Sequence, residues 1–261
     1  MIFAKKSLGQ NFLRSTKALR QIVEGGELSP NDTVVEIGPG EGVLTALLLE
    51  KGATVIAIEK DDRLIPILEE KFSSHISSGK LKLLHEDALE LSWKKLGLSD
   101  RKFKVIANIP YYITGALMPL ILGSDIQPSR AVVLVQKEVA ERIVARDKKE
   151  SILSMSVKAY GVPKIIDTVP AGAFVPAPNV DSAILLVRDL SKVFFTAAPA
   201  ITEDQFFKTL KTGFAHKRKL LRANLGLKDE DLISAGLSPL ARAEDITLED
   251  WKKLSCLFSK K

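Results

Sequence analysis

The sequence predicts an α/β fold: a parallel sheet buried on both faces, an antiparallel element at one end of it, and a small all-helical domain after it. Three observations carry this. Nearly all-apolar runs such as "TVVEIG", "TVIAIE" and "RAVVLVQ" alternate with helix-like segments, the pattern of parallel strands covered on both sides. "PKIIDTV" and "SAILLVRDL" follow with only a Pro-rich loop between them, so no crossover helix joins them. After about Leu190 only helix-like segments remain.

Taken in order, "STKALRQIVEGG" reads as a helix with Ser15 as N-cap and Gly25 or Gly26 at its end. "TVVEIG" is a strand and "GVLTALLLEKG" a helix closed by Gly52. "TVIAIE" is the next strand. "DRLIPILEEKF" is a helix despite Pro66, which falls in the first turns, where Pro is tolerated. "KLKLLHED", "FKVIAN" and "RAVVLVQ" are further strands. Past the joining segment "SKVFFTAAPA", the stretches "ITEDQFFKTLKTGFAHKRKLLRANLG", "KDEDLISAG" and "TLEDWKKLSCLFSKK" read as helices with Gly and Pro breaks. The expected domains are 1–190 and 191–261.

The 261 residues are 46% hydrophobic and 27% charged, which suits one full-size domain and a smaller one. No apolar run reaches the length of a bilayer span. "MIFAKKSLGQNF" has lysines without the apolar stretch of a secretory leader, so no membrane partner is expected. One Cys and three His argue against a disulfide and against a zinc site of the usual types. No metal is expected, and the setting is expected to be reduced and cytoplasmic. Nothing demands more than a monomer. The net charge of +6 is concentrated in two acid-free segments. One holds Lys5, Lys6, Arg14, Lys17 and Arg20; the other holds Lys208, Lys211, Lys217, Arg218, Lys219, Arg222 and Lys228. Such segments suit a surface that meets phosphates, or an ordinary solvated face.

"VVEIGPGEG" sets Gly38, Gly40 and Gly42 between a strand and a helix. In an open parallel sheet, ligands sit beyond the carboxyl ends of the strands. The spacing misses the dinucleotide fingerprint, since the third Gly comes one place early and residue 43 is Val. Glu36 just before the glycines favours a cationic ligand without phosphate over a diphosphate. S-adenosylmethionine has that chemistry. Glu59, ending the second strand, can accept from its ribose hydroxyls, and Asp87, ending "LLHED", from its adenine amino group. The glycines alone also fit a structural turn or a NAD site.

"NIPYYIT" ends the fourth strand, beside such a pocket. An amino group on an aromatic ring is a poor nucleophile. Two acceptors that hold its N–H groups let the nitrogen pyramidalise toward a methyl donor. The Asn108 side-chain oxygen and a backbone carbonyl of Ile109 or Pro110 suit this, and Tyr111 offers a flat face to a planar base. Methyl transfer then requires alignment more than acid–base chemistry. Tyr112 is expected to be a partly buried core residue. An Asn/Asp, Ile/Leu, Pro, aromatic run is a specific signature of amino-group methylation.

With these residues in place, the chain resembles the KsgA-type small-subunit ribosomal RNA adenine dimethyltransferases. "KKSLGQNFL", "VVEIGPGEGVLT", "IAIEKDDRL", "HEDAL", "NIPYYIT", "VQKEVAERI", "FVPAPNVDSAILLV" and "FFKTLKTGFAHKRKLLRANL" match in order, over essentially the whole chain. The resemblance implies a Rossmann-like class I methyltransferase domain followed by a helical RNA-binding domain. It implies two methylations on N6 of each of two adjacent adenosines near the 3′ end of 16S rRNA, in immature 30S subunits. It implies donor contacts at Asn11, Leu13, Gly38, Glu59, Asp87 and Asn108, joined by Gly40 of the loop. It also implies that Phe174 packs against the target base opposite Tyr111, as base flipping requires. Two stretches depart from the family: "ARDKKESILSMSVKAYG", and Asn179 where Lys is usual. Three alternatives stay open: an enzyme on 23S rRNA, a ribosome-assembly checkpoint, and a non-enzymatic nucleotide-binding module.

Overall fold

The computed structural model describes residues 5, 9–91 and 93–258. Lys6 of the first basic segment, residues 6–8 of "KKSLGQNFL" and the last three residues of the final helix-like stretch lie outside the described residues. The chain forms two compact units. One comprises residues 1–140 and 163–190, the other residues 141–162 and 191–261.

The elements run β1 (Phe12–Leu13), α1 (Thr16–Gly25), β2 (Thr33–Ile37), α2 (Val43–Glu50), β3 (Thr54–Glu59), α3 (Ile65–Lys71), α4 (Ser73–Ser77), β4 (Leu81–His85) and β5 (Phe103–Asn108). Then come α5 (Thr114–Leu122), β6 (Arg130–Gln136), α6 (Lys137–Val144), α7 (Ile152–Lys158), β7 (Val162–Val169), β8 (Phe174–Val175) and β9 (Ser182–Arg188). The rest is helical: α8 (Val193–Thr196), α9 (Glu203–Gly213), α10 (Leu221–Leu225), α11 (Asp229–Ser234) and α12 (Leu248–Phe258).

Seven strands form one sheet in the order β4–β3–β2–β5–β6–β9–β7. β2 is parallel to β3 and β5, β3 to β4, and β5 to β6, whereas β9 is antiparallel to β6. The register sets Ile37 beside Ile58 and Val133 beside Leu185. This is the α/β sheet with an antiparallel strand that the apolar runs predict. Val34, Val35, Val105, Ile106, Val132, Val133 and Leu185 are fully buried, each worth about 1.5–3 kcal/mol relative to exposure. Ser15 caps α1 by accepting from the Ala18 N–H at 3.3 Å. Pro66 sits at the start of α3, where it costs no hydrogen bond.

In the second unit, Tyr160, Phe194, Phe195, Phe206 and Phe207 form an aromatic cluster with ring centroids 5.1–6.3 Å apart. Tyr160 explains why residues 141–162, assigned to the first domain in the sequence reading, belong to this unit. Its ring joins the cluster and its hydroxyl donates to Glu203. The Glu150 N–H also donates to the Glu244 carbonyl at 2.8 Å. The stretch from "ITED" to "ANLG", read as helical with Gly breaks, forms two helices, α9 and α10. Gly213 is the last residue of the first, and only glycine fits there, since an added Cβ would lie 2.4 Å from the Trp251 ring. The Asn224 amide then donates to the Gly213 and His216 carbonyls at 2.6 and 3.1 Å, fixing the break.

Candidate cofactor and catalytic site

A cleft opens at the carboxyl ends of β2, β3, β4 and β5, where the strand order reverses between β2 and β5. It holds about 1050 Å³ of empty space, open solvent included. Asn11, Leu13, Gly38, Gly40, Glu59, Asp87, Asn108, Ile109, Pro110 and Tyr111 all line it, so ten of the residues singled out in the sequence meet at one place.

The glycine loop follows β2. Gly40 and Gly42 have φ of 59° and 72°, in the left-handed region. A Cβ at Gly40 would press on the Phe12 ring at 3.2 Å, and one at Gly42 would lie 2.5 Å from Phe72. The loop thus comes down close to β1 on one side and α3 on the other. Glu59 ties it to β3: one carboxylate oxygen accepts from the Gly40 N–H at 3.1 Å, the other from the Asp61 N–H at 2.8 Å. Burial raises the Glu59 carboxyl above its ordinary value. Each oxygen keeps a lone pair for a hydroxyl, which suits a ribose diol.

Asp87 is already engaged. Lys60 donates to one oxygen at 2.5 Å and the Leu89 N–H to the other at 3.0 Å. The Lys60 partner holds the carboxyl below its ordinary value. Nothing in the spacing of the motifs pointed to Lys60 as a cleft residue, and a donor adenine at Asp87 would share the carboxylate with it.

Asn108 ends β5 with its Nδ2 turned to the Asn11 carbonyl at 3.4 Å, leaving its Oδ1 to accept. A Cβ at Gly38 would have the Asn108 carbonyl oxygen and the Pro110 ring as nearest neighbours, both at 3.7 Å, so glycine loop and "NIPY" run side by side. The half-buried Tyr111 is anchored by its hydroxyl, 2.5 Å from the Ser182 Oγ. Burial pushes the phenol upward. Ser182, fully buried at the start of β9, is a site residue that sequence reasoning missed. It lies 71 residues away, with no motif around it that announces a partner for Tyr111.

Two residues lie elsewhere than expected. Tyr112 is 58% exposed and is no core residue. It sits in a short 3₁₀ turn, Tyr111–Ile113, whose three residues per turn send successive side chains in different directions. Phe174 is 3% exposed, paired with Leu13 across β1 and β8 and packed in the core; it is not among the residues lining the cleft. Three N-terminal cations already have acidic partners: Lys5 lies 3.5 Å from Asp61, Arg14 2.7 Å from Glu41, and Lys17 3.0 Å from Asp167. In the second unit Lys208, Lys211, Lys217, Arg218, Lys219 and Lys228 are exposed, whereas Arg222 lies 3.1 Å from Asp229.

Whether the cleft fits S-adenosylmethionine is tested by Glu36. This carboxyl is 1% exposed; one oxygen accepts from the Thr45 hydroxyl at 2.7 Å, and the other has no partner among the described residues. An orphaned buried carboxylate oxygen in a cleft that otherwise offers a ribose acceptor suits the donor's ammonium, and no phosphate. A switch-point cleft with this donor set, and "NIPY" at the next strand end, defines an S-adenosylmethionine-dependent methyltransferase.

The comparisons with known proteins narrow the class. A family model described as ribosomal RNA adenine dimethylase matches residues 2–260. The chain is 42% identical over 262 residues to the ribosomal RNA small subunit methyltransferase A of Dehalococcoides mccartyi, covering 97% of this chain and 88% of that one. It is 39% identical over 268 residues to the protein of the same name from Streptococcus thermophilus, covering 96% and 90%. Among solved structures, the 23S rRNA methyltransferase ErmE superposes with a TM-score of 0.74 at 27% identity, over 95% of this chain and all of that one. A dimethyladenosine transferase from Plasmodium falciparum gives a TM-score of 0.77 over 95% and 98% of the two chains; at 24% identity it bears on the fold alone. This chain belongs to the ribosomal RNA adenine dimethylase family. It is an enzyme whose methyl donor is S-adenosylmethionine, and among the described residues no helix is long and apolar enough to cross a membrane.

Proposed function

We propose that this enzyme dimethylates N6 of two adjacent adenosines near the 3′ end of 16S rRNA, within immature 30S subunits, and acts as a monomer. The observation that carries the reading is the placement of Asn108 and Tyr111 beside the glycine loop, with the Tyr111 hydroxyl fixed on Ser182.

Bound S-adenosylmethionine supplies an electrophilic methyl group. The residues of this chain do the rest. Glu59 takes the ribose hydroxyls, and Asp87, relieved in part by Lys60, takes the adenine amino group. Asn108 Oδ1 and the carbonyl of Ile109 or Pro110 accept from the two N–H groups of the target amine and turn its lone pair toward the cleft. Pro110, with no N–H of its own, does not compete. The Tyr111 ring stacks on the flipped base. Each addition forms the N–C bond and releases one N–H proton of the amine to solvent; after the first, one acceptor has lost its N–H and the other still orients the amine, which accommodates a second addition. The exposed Lys208, Lys211, Lys217, Arg218 and Lys219 serve rRNA phosphates.

A second reading, action on 23S rRNA, is favoured by one observation, the likeness to ErmE over the whole of that chain. Transfer of labelled methyl to immature 30S subunits, with 50S subunits and 23S rRNA alongside, separates the two. Label in 30S alone supports the proposal; label in 23S rRNA alone replaces it with the second reading.

A further inference from the structure

Glu36 differs from Glu59 and Asp87, two other acids of the cleft, in what its oxygens meet. Glu59 and Asp87 have a hydrogen bond on each oxygen. Glu36 has one, from Thr45, and its second oxygen is buried without a partner among the described residues. Thr45 is itself fully buried on α2. A carboxylate in this state is costly when ionised and comfortable when protonated. The charged groups that bear on it are few. Glu59, from β3, opposes ionisation, and Lys71, from α3, favours it. Lys71 is held at the Glu41 carbonyl at 2.7 Å, and Glu41 is paired with Arg14 at 2.7 Å. From β5 the cleft receives the neutral Asn108 amide, while the Thr45 hydroxyl of α2 meets Glu36 itself. Burial above all pushes the Glu36 carboxyl up to about 8.

We propose that Glu36, held by Thr45, is a proton-exchanging receptor for the donor's ammonium group: it is a carboxylic acid in the empty cleft and gives its proton to solvent as the cation arrives. The Glu36 O–H bond breaks, the proton goes to bulk buffer, and the free oxygen gains the donor it lacks. The pair that forms is neutral, so no net charge is buried. Thr45 is a positioning residue. Its O–H holds one oxygen, which leaves the other as the unpartnered acceptor of a cleft-lining residue, and it stabilises the ionised form. The inference rests on the methyl-donor reading of this cleft.

Calorimetry of the full chain with S-adenosylhomocysteine, which keeps the ammonium, tests it. Titrations at about pH 6.5 in buffers of different ionisation enthalpy count protons released per ligand bound. At that pH an α-amino group with a pKa of about 8 is already a cation. The expected result is release approaching one proton in the native protein and none in Glu36→Gln. Thr45→Val is expected to weaken binding about tenfold or more, with Thr45→Ser restoring it. Thr45→Ser keeps the test valid should Thr45→Val fail to fold. Tight binding without proton release, or equal release in Glu36→Gln, overturns the inference and leaves the methyl-donor reading intact. Absence of ligand binding in the native protein overturns both.

Discussion

Replacing Asn108 by Ala removes one acceptor from the proposed transfer geometry and little else. Its one side-chain hydrogen bond among the described residues, Nδ2 to the Asn11 carbonyl, is long at 3.4 Å, and the residue is half-buried at the end of β5. A bond of that length lies at or beyond the edge of useful geometry, so the loss of stability should stay below about 1 kcal/mol. The catalytic loss should be larger. A preorganised polar contact that acts as charge develops is worth roughly 10²–10³ in rate. The measurement is single-turnover methyl transfer at saturating donor, with donor affinity determined separately by calorimetry because Asn108 also lines the donor cleft. Folding is followed by urea titration. The expected variant is nearly as stable as the native protein, saturates with donor and transfers methyl at least about a hundredfold more slowly. Full activity would refute the role of Asn108, and so would a loss that donor affinity alone accounts for.

Other consequences follow from the same geometry. Tyr111→Phe leaves the buried Ser182 hydroxyl without its partner and should cost about 1–3 kcal/mol in urea unfolding, while Tyr111→Phe with Ser182→Ala should recover much of it. Gly42→Ala places a Cβ 2.5 Å from Phe72 at φ 72°; a left-handed cost of about 1–2 kcal/mol and overpacking of about 1–3 kcal/mol should lower stability measurably by urea titration. Lys217, Arg218 and Lys219 changed together to Ala should reduce the slope of log affinity for rRNA against log salt by about 2; an unchanged slope would make this an ordinary solvated face. In the donor-free protein the raised Glu36 carboxyl stays protonated while its unfolded counterpart, at 4.5, ionises. Its contribution to stability is therefore full below pH 4.5 and is lost as pH rises toward about 8. Glu36→Gln should gain on the native protein across that window in urea titrations at several pH values.

The sheet was legible because its strands are buried on both faces, so "TVVEI", "TVIAIE" and "RAVVLVQ" carry their signal in every residue. Ser15 and Pro66 were legible because caps and first-turn prolines are local chemistry. Gly38, Glu59, Asp87 and Asn108 of the cleft were legible because each stands at or just past a strand end, in a motif. What sequence could not supply depends on distant partners. Residue 213 is glycine because Trp251, on another helix, occupies the space a Cβ would take. Tyr112 looked like core because its neighbours are, and only the turn geometry sends it outward. Ser182 and Lys60 meet Tyr111 and Asp87 through folding alone. Phe174, an aromatic in a Pro-rich loop, reads on its own residues as core more often than functional, and it lies in the core beside Leu13; its place against a base came from the resemblance alone.

The central claim is best tested on the product. Immature 30S subunits would be treated with the enzyme and S-adenosylmethionine, and the 3′-terminal fragment of 16S rRNA digested to nucleosides and read by mass spectrometry. The account predicts N6,N6-dimethyladenosine at two adjacent positions in that fragment, and its absence when Asn108 is Ala. Dimethyladenosine found only in 23S rRNA, or tight binding of 30S subunits with no methyl transferred, would contradict it.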